Sequence, residues 1–158
     1  LISRALGWFN HTDNLLLAAR YYELRLLSLV GFQPQLFRCV ATHEPIEQED
    51  QYFSAELGGL LKTEARGADR HAKRISATAV KLLRYLQTRD WATIQAIQLR
   101  ASLHRELEQI LHYYITYLLE RNLKSVDFLQ RLRRESALFL EANESSADEP
   151  EPPDETQP

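Results

Sequence analysis

The chain has 158 residues, 44% of them hydrophobic, with 19 Lys and Arg against 22 Asp and Glu and a formal charge of -3. That is enough chain for one domain with a real core and too little for two independent ones. A single cysteine, Cys39, excludes an internal disulfide framework and points to a reducing compartment, and no apolar run approaches the roughly 20 residues of a membrane span. No signal-peptide pattern opens the chain, so a soluble, cytoplasmic protein without membrane contact is expected. The sequence holds no methionine and starts Leu1-Ile2-Ser3-Arg4, from which a missing N-terminal part is expected.

Leu1 to Phe9 reads as the end of a helix closed near Gly7 or Asn10. Asn10 to Asn14 offers N-cap side chains for a helix running to Val30, whose Leu16, Leu17, Tyr21, Leu24 and Leu27 cover much of its circumference and predict burial on more than one side. Gly31 suits a left-handed C-cap, and Pro34 prevents continuation.

Residues 35–69 lose the helical period. Val40-Ala41 and Tyr52-Phe53 are short apolar pieces around an acidic loop, followed by Gly58-Gly59, which predicts two hairpin-like elements. Helical signals then return. Ser76 is placed to cap a helix with Ala79, Leu82, Leu83 and Leu86 inward, and Asp90 a short one with Trp91, Ile94 and Ile97.

Leu103, Leu107, Ile110, Leu111, Tyr114 and Leu118 then mark a strongly amphipathic helix. A stop is expected near Asn122, with Ser125 capping a last helix through Val126, Leu129, Leu132 and Phe139-Leu140. The fold class is therefore mainly α: a bundle of about five helices over residues 1–142, with a small irregular or β insertion at 35–69. Residues 143–158 carry six acids, four prolines and no base, which predicts a disordered acidic tail.

Without that tail, residues 1–142 hold 19 bases and 16 acids. The imbalance is local: residues 43–69 hold two bases and seven acids, residues 70–142 thirteen bases and seven acids. A basic C-terminal half fits nucleic acid or an acidic protein segment, and it also fits an ordinary solvated surface.

A zinc ribbon requires two pairs of thiolate or imidazole ligands spaced C-x2-C around a loop of fifteen to twenty residues. Cys39 and Thr42 have the spacing of the first pair, Lys62 and Ala65 that of the second, with 19 residues between. The spacing is present and the ligands are not, so no metal is assigned. A rescue set of Cys39, His43, Glu64 and His71 is the alternative, against the plainer reading of Cys39 as a small semi-buried apolar residue. His104, Glu108 and His112 recur every four residues but fall outside the Leu107/Tyr114 face. They read as a solvated polar face rather than a metal stripe. With no phosphate loop, nucleophile elbow or paired carboxylates in a shaped site, no catalytic residue, cofactor or enzyme activity is assigned.

Binding candidates are Tyr113 with Arg121 and Lys124, then Arg131, Arg133 and Arg134, and before the Ser76 helix Arg70, Lys73 and Arg74. Tyr114 belongs to the apolar face and Tyr117 to its edge. Such clusters suit phosphates or an acidic, hydrophobic-ended peptide.

Three segments in order, Tyr22 to Pro34 with Arg38-Cys39, Phe53-Ser54-Ala55-Glu56-Leu57-Gly58-Gly59, and Leu123-Lys124-Ser125-Val126-Asp127-Phe128-Leu129, resemble the C-terminal region of the bacterial recombination mediator RecO over roughly residues 1 to 135. The resemblance implies a helical domain that follows an N-terminal OB-fold. It also implies a non-enzymatic DNA repair and recombination mediator, nucleoid-associated, which binds and anneals single- and double-stranded DNA. The implied partners are RecR, the acidic tail of single-stranded DNA-binding protein and, indirectly, RecA during loading. Many members carry four zinc cysteines in the insertion, of which this chain matches Cys39. The alternative is a structural or adaptor helical domain without DNA contact.

Overall fold

The computed structural model describes residues 15–146, with side chains described through residue 134. The chain divides into two compact units with the boundary between Leu118 and Leu119. The expected helix at Leu1 to Phe9 lies outside the described residues; of the acidic tail expected at 143–158, residues 143–146 are helical, against expectation, and the rest lies outside the described residues.

Helix α1 spans Leu15–Leu29 and buries Leu17, Ala18, Tyr21, Leu24 and Leu27. It ends as Gly31 predicts: the Gly31 backbone is left-handed (φ 85°), and the Phe32 amide donates back to the Leu27 carbonyl at 2.8 Å. Helix α2, Ala77–Thr88, has Ser76 as its N-cap, the hydroxyl accepting from the Ala79 amide, and turns Ala79, Val80, Leu82, Leu83 and Leu86 inward. Helix α3, Trp91–Ile94, is capped by Asp90, which accepts from the Thr93 amide. Both caps form where the sequence places them.

Between α1 and α2 lies a three-stranded antiparallel sheet in the order β2-β1-β3, with β1 at Gln51–Ser54, β2 at Gly59–Leu61 and β3 at Lys73–Ile75. A 3-10 helix, Thr63–Ala68, joins β2 to β3. One of the two expected hairpins is real, pairing Tyr52 with Leu61 and Phe53 with Leu60. The other is not a strand pair. Val40-Ala41 is a turn whose arms meet antiparallel at the isolated bridge between Arg38 and Pro45, with Cys39 donating to the Glu44 carbonyl at 2.8 Å and Ile46 to the Phe37 carbonyl at 3.0 Å, a hairpin-like element one bridge long. The acidic, proline-containing run 43–50 has no alternation to sustain a ladder. The arm instead docks on β2, where Leu60 donates to Gln35 and Val40 donates to Leu60, both at 2.9 Å. Gly59 makes this approach possible, since a Cβ there would stand 2.4 Å from the Gln35 carbonyl oxygen. Helix α2 holds the same arm from the other side. Arg84 donates to the Leu36 carbonyl at 2.7 Å and to the Ile46 carbonyl at 3.3 Å, and Gln87 donates to the Pro34 carbonyl at 3.0 Å.

Helix α4 runs without interruption from Ala101 to Ser146. The stop expected near Asn122 and the new cap at Ser125 do not occur. No Gly or Pro interrupts this stretch, and the Ser125 hydroxyl donates to the Arg121 carbonyl at 3.0 Å, the back-bonding a helix interior tolerates, instead of capping. The described part of the bundle therefore contains four helices, one of them short. In the first unit α4 buries Leu107, Ile110, Leu111, Tyr114 and Leu118; from Leu119 to Arg134 every side chain is exposed.

Candidate functional site

The ribbon positions come first, because the family resemblance attaches zinc to them. Cys39 is fully buried, more so than the semi-buried position expected, and its sulfur accepts the Lys62 backbone amide at 3.5 Å. Thr42, Lys62 and Ala65 hold the other three positions, and an ammonium has no lone pair to give. The donor set does not fit a structural zinc. The rescue set is not assembled either: among the described residues no three His, Cys, Asp or Glu side chains are placed to share an ion.

The predicted basic residues fall into both units. In the first, β3 is an edge strand and exposes Lys73 and Arg74, with Arg70 exposed in the turn before it. That turn is fixed by the buried Asp69, which accepts the Ser54 hydroxyl at 2.6 Å and the His71 amide at 2.8 Å. The Lys73 ammonium sits 4.4 Å from the centre of the Tyr113 ring, whose hydroxyl donates to the His71 carbonyl at 3.0 Å. Burial, and next the Asp69 carboxylate, hold that hydroxyl above the usual phenol range. Tyr113 is therefore half-buried with one ring face already beside a cation. Arg74 is drawn to Asp50 at 2.8 Å, and Asp50 also accepts the Ala77 amide. Arg66, which the sequence reading passed over, is an exposed cation 4.8 Å over the Tyr52 ring, on the face of β1 opposite the Phe53–Lys73 pair. Only the sheet brings Arg66 and Tyr52 together, so no local signal marks the pair.

In the second unit Arg121, Lys124, Arg131, Arg133 and Arg134 are all exposed. At about 100° per residue, Arg121, Lys124 and Arg131 fall within roughly 80° of one another on α4, with the exposed Phe128 and Leu132 on the same face. Leu119, Leu123 and Val126 occupy the opposite face. The missed residue here is Phe128. Its signal was present, an aromatic between bases at helical spacing, but the expected helix start at Ser125 gave it no face.

Two further features belong to the first unit. A hollow of about 280 Å³ opens between α2 and the 97–103 segment, lined by apolar atoms of Leu82, Tyr85, Ile97, Leu99 and Leu103 beside Lys81. The His104/Glu108/His112 stripe is not wholly solvated, contrary to expectation. Glu108 and His112 are exposed, but His104 is half-buried, its Nδ1 enclosed without a hydrogen-bond partner. Burial, with the nearby Arg20 guanidinium, lowers the imidazole below its ordinary range. Arg20 pairs with Glu23 of α1 at 3.0 Å, and burial raises the Glu23 carboxyl despite that partner. Leu103 and Leu107 turn inward beside His104, and Arg20 and Glu23 of α1 lie near enough to feel the charges of the stripe.

No solved structure matches the chain significantly. The sequence model of the family described as "Recombination protein O C terminal" matches residues 1–127. Among curated proteins, the DNA repair protein RecO of Roseiflexus sp. (strain RS-1) is 36% identical over 118 residues, 75% of this chain and 42% of the relative. That of Dehalococcoides mccartyi (strain ATCC BAA-2266 / KCTC 15142 / 195) is 31% identical over 134 residues, 85% of this chain and 53% of the relative. That of Symbiobacterium thermophilum is 34% identical over 116 residues, 72% of this chain and 46% of the relative. The chain thus spans about half the length of the curated relatives it matches, and, with the family's C-terminal model covering most of its helical and ribbon elements, it belongs to the RecO family.

Proposed function

We propose that this chain is the C-terminal part of a non-enzymatic mediator of DNA repair and homologous recombination, contributing a basic helical surface to DNA and to acidic protein tails. The observation that carries the reading is the exposed face of α4 with Arg121, Lys124 and Arg131 around Phe128. Exposed cations on one helix face attract the phosphates of a strand, and an exposed ring among them is a surface on which a base stacks. Arg70 and Lys73, exposed at and just before the edge strand β3, add a second basic area. The wider roles in this reading, strand annealing, pairing with RecR, capture of the single-stranded DNA-binding protein tail and help in loading RecA, follow from family membership alone.

The test is single-stranded DNA binding by fluorescence anisotropy over a salt series. Each phosphate contact contributes about −0.7 to the slope of log K against log salt, so reversing Arg121, Lys124 and Arg131 to Glu removes roughly two units of slope along with most of the affinity. A triple variant that keeps its helicity, its affinity and its slope sinks the assignment. The alternative, an adaptor without DNA contact, draws on the apolar hollow between α2 and the 97–103 segment. It predicts no measurable DNA binding at any salt concentration.

A further inference from the structure

In a zinc ribbon the ion ties two tight turns together and balances the charge of the sulfurs around it. Here a sulfur remains at one of four positions, yet the two turns still meet. Lys62, the first position of the second pair, reaches the first turn twice. Its backbone amide donates to Cys39 Sγ at 3.5 Å, and its ammonium lies 2.7 Å from Glu44 Oε2. Glu44 is itself fixed to the cysteine, because the Cys39 amide donates to the Glu44 carbonyl at 2.8 Å. The first turn closes with the His43 amide donating to the Cys39 carbonyl at 2.8 Å, His43 taking a left-handed backbone (φ 62°). Around the sulfur, burial opposes the thiolate. The Thr42 hydroxyl and the amides of Lys62, Thr42 and Ala41 outweigh it and draw the thiol below its ordinary range. The sulfur is thus cradled by N–H and O–H groups, while the positive charge beside the turns comes from a lysine.

We propose that Lys62 and Glu44 close this ribbon in place of a metal, the ammonium supplying the cation and the carboxylate its anchor in the first turn, with the buried Cys39 sulfur kept as a hydrogen-bond acceptor. Exposed ion pairs contribute little on average. This pair is exposed at Glu44, whose side chain is 61% exposed, and what sets it apart is that the Lys62 backbone is pinned to the same turn. The rival account is that Val40, Phe53 and Leu60 hold the ribbon by packing alone.

The experiment is amide hydrogen exchange of residues 39–44 and 60–62 in the full chain at low salt. It compares the natural sequence with E44Q, K62E, E44K and the swap E44K/K62E, each with and without a zinc chelator. The expected result is exchange several-fold faster in each single variant, recovery of most of the protection in the swap, and no response of the natural chain to chelator. E44Q removes the pair without adding repulsion and so guards against a variant that merely misfolds. Single variants that exchange like the natural chain, a swap that recovers nothing, or a natural chain whose ribbon amides open on chelation would each overturn the proposal.

Discussion

The helical layer and the ribbon of the first unit share one apolar core but differ in what is added to it. In α2 and the first part of α4, stability comes from apolar faces at helical spacing: Leu83, Leu86, Leu107, Ile110 and Leu111 are all at most 2% exposed. The ribbon between Gln35 and Asp69 buries large apolar groups of its own, Leu36, Phe53, Leu60 and Leu61, each at most 1% exposed. To that burial it adds backbone hydrogen bonds across β2, carbonyls of the 34–46 arm taken up by Arg84 and Gln87, and the Lys62–Glu44 ion pair. A helix face tolerates local change as long as volume is kept, whereas the ribbon depends on close backbone approach and fails where a single atom intrudes.

Replacing Leu107 with Ala sharpens that contrast most. It removes a fully buried side chain from the centre of the α4 face and is expected to cost about 2–5 kcal/mol by denaturant titration, with the midpoint falling and the slope unchanged. Gly59→Ala tests the ribbon, where the added methyl meets the Gln35 carbonyl and the Val40 side chain. A loss of about 1–3 kcal/mol is expected, with faster exchange of the Leu60 and Val40 amides. A silent Gly59→Ala would show that the arm does not depend on this approach.

The smallest effect lies at the border of the helical layer, where α1 meets the polar stripe of α4. Because the folded state lowers the His104 pKa from its ordinary 6.5, the unfolded chain takes up the proton first, and stability falls as pH drops below about 6.5 toward the folded value. Glu23 acts in the opposite sense. Its raised pKa favours the folded state as pH falls through that value toward 4.5, and the benefit is lost as pH rises back through it. His104→Gln should flatten the first limb of a stability–pH profile and leave the second in place.

The helices were legible because their signals are local. Ser76 and Asp90 lie next to the amides they cap, and the Leu107/Tyr114 face is written within a few turns. What stayed illegible depends on distance or on competition. The Lys62–Glu44 pair joins residues 18 apart, and the β3 strand Lys73–Ile75 exists only because β1 offers it an edge. Asn122 and Ser125 carry real cap chemistry, yet a helix already propagating from Ala101 absorbs them, since extending it costs less than nucleating another. The same reasoning explains His104, whose polarity argues for solvent while its position beside Leu103 and Leu107 leaves it half-buried.

Tyr114 has a consequence for how a disturbance spreads through the first unit. Its hydroxyl donates to the Phe32 carbonyl just past α1 at 3.0 Å, its ring meets Phe53 of β1 edge-on with centroids 5.4 Å apart, and its oxygen stands 3.2 Å from where a Cβ on Gly58 would lie. One side chain of α4 is thereby a three-way coupling among the exit of α1, the central strand and the hairpin turn. A change at Tyr114 therefore disturbs all three joints together, and none of them can be loosened there alone.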